Sequence, residues 1–214
     1  MKKLVLSISL VVFCLIPLAS MAEMSPELLR LSEAWAQIKY QMPEAKRVKA
    51  LEMLNGEAQA LVKANPGSAE PMVWQAIILS TLAGEKGGLG ALSLVKDAKK
   101  LLERVEAFDP DVLAGSVYTS LGSLYYQVPG WPIGFGDDDK AKQYLKKALA
   151  VNPDGMDPNY FYGDFMLHEG EYGEAATAFK RALAAPPREN RPIADAGRRA
   201  EIEAALAEAK IAMH

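Results

Sequence analysis

Apolar and small residues recur every three or four positions through most of this chain, and prolines interrupt the pattern. Three segments share one spacing, in which an alanine is followed by two apolar or small residues and then by a proline. The spacing puts the apolar positions on one face of an α-helix, and proline is common just beyond a helix end. The pattern therefore predicts helices that bury one face, in segments 98–110, 141–153 and 175–187.

The same punctuation repeats along the chain, which indicates an array of similar helical units. Repetition at intervals of roughly 35 to 45 residues is typical of stacked helical hairpins. Small residues at Gly122, Gly163, Ala141 and Ala175 would let the two helices of a hairpin approach closely. The helical runs end at Pro66, Pro110, Pro153 and Pro187.

The aligned positions match the tetratricopeptide-repeat (TPR) signature, W-x2-L-G-x2-Y, then A-x3-F, then P. Segment 159–187 fits this signature without a gap, including a turn at Gly170. We therefore predict an all-α fold of TPR-like antiparallel helical hairpins, stacked in a right-handed solenoid over residues 23–190. About four hairpins are expected, the last three being the clearest. Residues 191–214 are predicted to form a C-terminal capping helix that covers the last hairpin.

Residues 1–22 have the organisation of a signal peptide. Lys2 and Lys3 precede an apolar run over residues 4–18, and small residues then lead to Ala22. We expect cleavage after Ala22 and a periplasmic or secreted protein. A retained membrane anchor is the alternative, because the apolar stretch approaches the length of a bilayer span.

Composition narrows the classes of partner. The chain has one cysteine, Cys14, which lies inside the expected signal peptide and lacks the surrounding sequence of a lipidated cysteine. Lipoprotein anchoring is therefore not expected, and the exported domain must be stable without disulfides. The formal net charge is −3, and removal of Lys2 and Lys3 makes the chain more acidic. Without a basic stripe to neutralise phosphates, nucleic acid is not an expected partner.

Few side chains suit catalysis or metal binding. The histidines are His168 and the terminal His214, so a nucleophilic triad or a metal site lacks parts. The glycine-rich segment 84–90 follows a predicted helix and lacks the Gly-Lys-Ser/Thr ending of a phosphate-binding loop. We therefore predict a protein that is not an enzyme and has no cofactor and no metal.

Capping residues mark three predicted helix starts. Ser25 and Asp157 each precede a proline, which is favourable at the first position of a helix. The three aspartates at 137–139 are consecutive, whereas calcium loops space their carboxylates and include a glycine. Capping and stabilisation of the helix dipole are therefore favoured over calcium binding for this run.

Two insertions break the repeat spacing. One contains the glycines of segment 84–90, and the other, at 126–141, reads YQVPGWPIGFGDDDKA. Insertions of this kind project from one edge of a repeat array and often carry binding features. Trp131 and Phe135 either fold back to plug the gap beside their own hairpin or form a lid that presents Trp131 to a ligand. We favour the plug, because large aromatic side chains gain most by burial.

The concave face of such an array is lined by first-helix positions between the signature residues. Tyrosine and glutamine there would offer stacking and hydrogen bonds without net charge, which suits a peptide, a partner helix or a small apolar solute. An ordinary solvated surface is the alternative. With Trp131 and Phe135, the candidate binding residues are Gln75, Leu79, Thr119, Ser123, Tyr126, Gln127, Tyr160, Asp164, Leu167 and His168.

The second insertion and its neighbouring helices contain four distinctive motifs, LGSLY at 121–125, PGWP at 129–132, FGD at 135–137 and NYFY at 159–162. With these motifs the chain resembles the T-component family associated with TRAP transporters, which is similar in turn to TPR regulators of microtubule dynamics. The resemblance implies an exported helical protein that partners periplasmic solute-binding proteins, as an oligomer with a ligand channel. Members of the family are often lipoproteins, and the missing lipidation motif departs from that pattern.

Two functions are consistent with these patterns. The first is an envelope adaptor that docks a solute-binding protein and shelters a small apolar solute. The second is a generic envelope-assembly scaffold that grips an extended peptide or partner helix in its concave groove. A closed apolar pocket beneath Trp131 would favour the first, and an open trough with exposed Tyr126, Gln127 and Tyr160 would favour the second.

Overall fold

Helices form almost all of residues 24–213, the part of the chain that the computed structural model describes, and no β-strand occurs among them. The predicted signal peptide and His214 lie outside this part. No helix of the described residues is long and apolar enough to cross a membrane. In chain order the helices are α1 (Pro26–Gln41), α2 (Glu44–Ala64), α3 (Ala69–Lys86), α4 (Gly88–Glu106), α5 (Val112–Gln127), α6 (Asp138–Val151), α7 (Met156–His168), α8 (Tyr172–Ala184) and α9 (Pro192–Ala212).

Successive helices pair as hairpins, as the repeat pattern predicts. The most extensive pairs are α3 with α4, α5 with α6 and α7 with α8, and α9 packs on α8. Within two of these pairs, a glycine lets the two helices pack closely against each other. A Cβ added at Gly122 would lie 2.6 Å from Cγ of Leu145, and one at Gly163 would lie 2.7 Å from Cε1 of Phe179. The predicted all-α fold of TPR-like hairpins is therefore confirmed.

The first and last described helices contact each other, which the repeat pattern did not predict. Helices α1, α3, α5, α7 and α9 each contact the next, and α9 also contacts α1. Tyr40 packs so closely on Gly197 that an added Cβ would lie 2.3 Å from the Tyr40 ring. The Tyr40 hydroxyl donates to Oε2 of Glu201 at 3.2 Å, and Nζ of Lys39 lies 3.2 Å from Oε1 of Glu201. We call these four residues the end contact.

Helix α3 is buried on nearly every side because α1, α2, α4 and α5 all pack against it. Its Trp74 ring meets that of Trp35 in α1, with ring centroids 6.0 Å apart. Gln75 and Leu79, which we expected on an open groove, are only 7% and 4% exposed. That expectation is wrong for both residues because neighbouring helices cover each face of α3.

The glycine-rich segment 84–90 does not form the projecting loop that its composition suggested. Helix α3 continues to Lys86, and α4 begins at Gly88. The two helices are joined at Gly87, whose φ of 61° is readily adopted by glycine. The extra residues therefore lengthen two helices instead of building a binding feature.

Two of the three predicted N-caps are confirmed. The side chain of Ser25 accepts from the N–H of Leu28 at 3.3 Å, and that of Asp137 accepts from the N–H of Lys140 at 3.0 Å. The prediction is wrong for Asp157, which lies inside α7 because that helix begins at Met156. Its carboxylate instead accepts hydrogen bonds from arginines in the C-terminal part of the chain.

Candidate functional site

The second insertion forms an ordered loop at the end of the α5–α6 hairpin. The N–H of Gly136 donates to the carbonyl of Pro129 at 3.0 Å, and the N–H of Asp137 donates to the carbonyl of Tyr125 at 2.8 Å. A Cβ at Gly136 would lie only 2.9 Å from the carbonyl carbon of Pro129, so glycine is required for this close approach. We call residues 128–136 the PGWP loop.

The PGWP loop turns one aromatic side chain outward and the other inward. Trp131, which precedes a cis proline bond, is 89% exposed, and Ile133 is 60% exposed. Phe135 packs edge to face against Tyr125, with ring centroids 5.7 Å apart. The plug prediction is therefore confirmed for Phe135 and wrong for Trp131. The hydrogen bonds that join the ends of the loop leave its tip away from the hairpin core.

Four candidate residues of α5 and α7 lie together. The Tyr126 hydroxyl donates to Oδ2 of Asp164 at 2.5 Å and accepts from Nε2 of Gln127 at 3.0 Å. The ring centroids of Tyr126 and His168 lie 6.1 Å apart. Burial and the negative charge of Asp164 raise the pKa of Tyr126 well above its ordinary value, so this phenol stays a hydrogen-bond donor near neutral pH. We call these four residues the groove cluster.

The remaining candidate residues of the helices are partly or fully buried. Tyr160 packs against Phe161, and the guanidinium of Arg198 lies 4.2 Å from the centre of its ring. Burial raises the pKa of Tyr160 to about 12, although the charge of Arg198 opposes the shift. Thr119 is 5% exposed, so the expectation that it lines an open groove is wrong, and Ser123 is half-buried. The groove cluster and the loop tip are thus the accessible parts of the predicted site.

A cluster of charged residues joins α7 to the start of α9. The carboxylate of Asp157 accepts from Nη1 of Arg188 at 2.7 Å and from Nε of Arg198 at 3.0 Å. Arg188 also pairs with Asp195, and Arg198 pairs with Glu201. We call this set the ion-pair cluster. Sequence reasoning missed it because the partners of Asp157 lie 31 and 41 residues away, with no motif to connect them.

The structure also brings two carboxylates to His168. Each of the exposed residues Asp138, His168 and Glu169 offers one ligand atom, and these three atoms lie within 4.8 Å of one another. The sequence suggested an isolated histidine, since Asp138 lies on a different helix. Exposed acidic groups are commonly this close without an ion, so proximity alone does not define a metal site.

Replacing Trp131 with phenylalanine is expected to shift the tryptophan emission to shorter wavelength and to reduce quenching by acrylamide. Trp131 is 89% exposed, whereas Trp35 and Trp74 are 5% and 2% exposed, so the variant loses the solvated fluorophore and keeps the shielded ones. Trp35→Phe is the control, because it keeps Trp131 and therefore the quenchable emission. Unchanged quenching of the Trp131→Phe protein would contradict the exposed position.

A family model and the solved structure of a TPR protein agree with the repeat fold. Residues 133–196 match the family model described as "Tetratricopeptide repeat". TTC0263, a thermophilic TPR protein in Thermus thermophilus, has a solved structure that is 26% identical, with a TM-score of 0.59 over 87% of this chain and 81% of that chain. The structure of MamA from AMB-1 is 21% identical, with a TM-score of 0.43 over 86% of this chain and 90% of that one. No curated protein matches the chain.

Proposed function

We propose that this chain is an exported protein-interaction adaptor that docks its partner through the tip of the PGWP loop. TPR-like arrays present helical surfaces and loops to other proteins, so the fold supports a binding role. The observation that carries the proposal is the 89% exposure of Trp131 at the tip of a hydrogen-bonded loop.

An exposed tryptophan suits an interface anchor. Tryptophan is enriched among the few interface residues that supply most of the binding free energy. Because the loop ends are already tied and Phe135 is already packed on Tyr125, little ordering is needed on binding. Ile133, 60% exposed two residues away, would extend the apolar contact.

For the partner we propose a periplasmic solute-binding protein of a TRAP-type uptake system. This partner is supported by the resemblance of the LGSLY, PGWP, FGD and NYFY motifs to the T-component family. Export is supported by the signal-peptide pattern of residues 1–22. Because Trp131 is 89% exposed, it does not cover a pocket among the described residues, and we do not propose that the protein shelters a solute beneath it.

A second candidate is a scaffold that holds an extended peptide or partner helix along the groove cluster. The observation that favours it is the exposure of Gln127 and His168 beside the Tyr126–Asp164 hydrogen bond. In that case, a partner would bond to the amide and imidazole, and the loop tip would contribute little.

Trp131→Ala is expected to weaken binding of the solute-binding protein from the same organism at least about tenfold, with little change in folding stability. The weakening follows from the loss of the exposed anchor, and titration calorimetry measures it. Met53→Ala is a matched control, because Met53 is 65% exposed and lies on α2.

The result also separates the two candidates. Equal affinities for wild type and Trp131→Ala would overturn docking through the loop tip. If Gln127→Ala instead weakened binding, the groove cluster would be the binding surface. Absence of binding by the wild-type protein would overturn the TRAP partnership.

A further inference from the structure

A cavity of about 160 Å³ lies where α1 meets the start of α9. On one side it is lined by Ser32, Glu33 and Gln37 of α1, and on the other by Asn190, Arg191 and the first turn of α9. It shares no residue with the PGWP loop or the groove cluster. Any ligand held here would touch both helices of the end contact.

Arg191 is a cation beside this cavity that forms no ion pair among the described residues. Arg188 and Arg198 each pair with two carboxylates of the ion-pair cluster, whereas Arg191 forms no ion pair with any residue from 24 to 213. Its Nε is buried and has no hydrogen-bond acceptor among the described residues. Burial and the charge of Arg188 lower the pKa of Arg191, which reflects the cost of holding this cation. A buried polar group without a partner calls for an explanation.

Trp74 adds a second donor without an acceptor. It is 2% exposed, and no described residue accepts a hydrogen bond from its Nε1. The guanidinium carbon of Arg191 lies 5.1 Å from the centre of the Trp74 ring, so a cation–π contact holds the arginine in place. That contact supplies no hydrogen-bond acceptor. Trp74 does not line the cavity, so of these two residues only Arg191 can contact a ligand held there.

A negatively charged acceptor would satisfy Arg191, but the cavity is not uniformly positive. Glu33 lines the opposite side, is exposed and pairs with no cation of the described chain. A simple anion would be attracted by Arg191 and repelled by Glu33. A small molecule with a carboxylate at one end and an ammonium at the other matches both charges.

We propose that this cavity binds a small free amino acid, with its carboxylate on Arg191 and its ammonium on Glu33. A cavity of about 150 Å³ holds a molecule the size of benzene, so amino acids of about six to eight non-hydrogen atoms, such as alanine and serine, fit the space. The carboxylate forms charge-assisted hydrogen bonds with the guanidinium. Because the ligand contacts α1 and the start of α9 together, it stabilises the end contact by mass action.

Titration calorimetry of the purified protein with alanine, serine, propionate and propylamine tests the proposal. Wild type is expected to bind the amino acids at least about tenfold more tightly than propionate or propylamine, because only the amino acids satisfy both charges. Arg191→Gln is expected to weaken amino-acid binding about tenfold or more. Binding of none of the four compounds at millimolar concentration would overturn the proposal.

Glu33→Gln provides the sharper readout, because Glu33 is an exposed residue of α1 and its replacement leaves the core intact. Removing the carboxylate should tighten binding of propionate and weaken binding of alanine. The preference for alanine over propionate should therefore become smaller or reverse. Glu203→Gln, at an exposed position of α9, is the matched control and should change neither affinity. An unchanged preference in Glu33→Gln would overturn the proposed orientation even if Arg191→Gln fails to fold.

Discussion

Asp157→Asn is expected to lower the free energy of unfolding by about 3 kcal/mol, the largest loss we predict for a single substitution. Asp157 is the shared acceptor of Arg188 and Arg198, and the side chain of Arg198 is only 8% exposed. Asparagine has nearly the same shape but no charge. The variant therefore keeps the packing and leaves two arginines without their common counter-ion. Urea unfolding followed by circular dichroism measures the loss.

The neighbouring Asp154 supplies a matched control. It is exposed and makes no hydrogen bond or ion pair within residues 24–213, so Asp154→Asn should change stability by less than about 0.5 kcal/mol. A loss in Asp157→Asn no larger than in Asp154→Asn would show that the ion-pair cluster does not stabilise the fold.

The effect of Asp157 also has a defined pH dependence. Burial opposes ionisation of its carboxyl, but the charges of Arg198 and Arg188 outweigh burial and hold the pKa well below its ordinary value. A carboxyl whose pKa is lowered by folding contributes stability that is full above its unfolded pKa of about 3.9 and is lost as the pH falls toward the folded value. The stability gap between wild type and Asp157→Asn should therefore be constant near neutral pH and shrink below about pH 4.

Gly197→Ala is expected to destabilise the protein by about 2 kcal/mol, because its methyl group would overlap the Tyr40 ring. The added Cβ would lie 2.3 Å from Cγ and Cδ1 of Tyr40, atoms that cannot move without shifting the ring. The same substitution in an unobstructed helix gains about 0.5 to 1 kcal/mol. Gly56→Ala in α2 tests that baseline, because no atom of residues 24–213 outside its own stretch of helix backbone lies within 4 Å of a Cβ there.

A double substitution decides whether the clash is the cause. Combined with Tyr40→Ala, the change Gly197→Ala should become neutral or slightly stabilising, since the ring that obstructs the methyl group is gone. Equilibrium unfolding of wild type, both single variants and the double variant gives the coupling free energy. If Gly197→Ala remained equally destabilising without the Tyr40 ring, α1 and α9 would not meet in solution as the structure describes.

The repeat architecture could be predicted from sequence because it depends on local patterns. The small residues Gly122 and Gly163 predicted close helix pairing, and the structure places each against a large side chain of its partner helix. Ser25 and Asp137 predicted helix starts for the same local reason, since a capping side chain bonds to backbone only three residues away. Such contacts lie within one helix or one hairpin, so they can be predicted from a single sequence.

The candidate site was predicted only in part. Tyr126 and Asp164 were assigned to one surface from their repeat positions, and they do bond to each other. Gln75 was assigned by the same rule and is buried, because the rule describes an open array and cannot count the helices that cover α3. For Trp131 the general tendency of aromatic residues to be buried gave the wrong answer, since backbone hydrogen bonds hold the loop tip in solvent.

Local sequence patterns were sufficient to predict most of the helices, their pairing and the position of the PGWP loop, because helical spacing, small residues and turn residues act over short separations. The folded chain alone shows that α1 meets α9, that Asp157 pairs with two arginines and that Arg191 lines a cavity without forming an ion pair. These contacts join residues far apart in the chain. Their free energy comes from geometry and burial that no local pattern encodes.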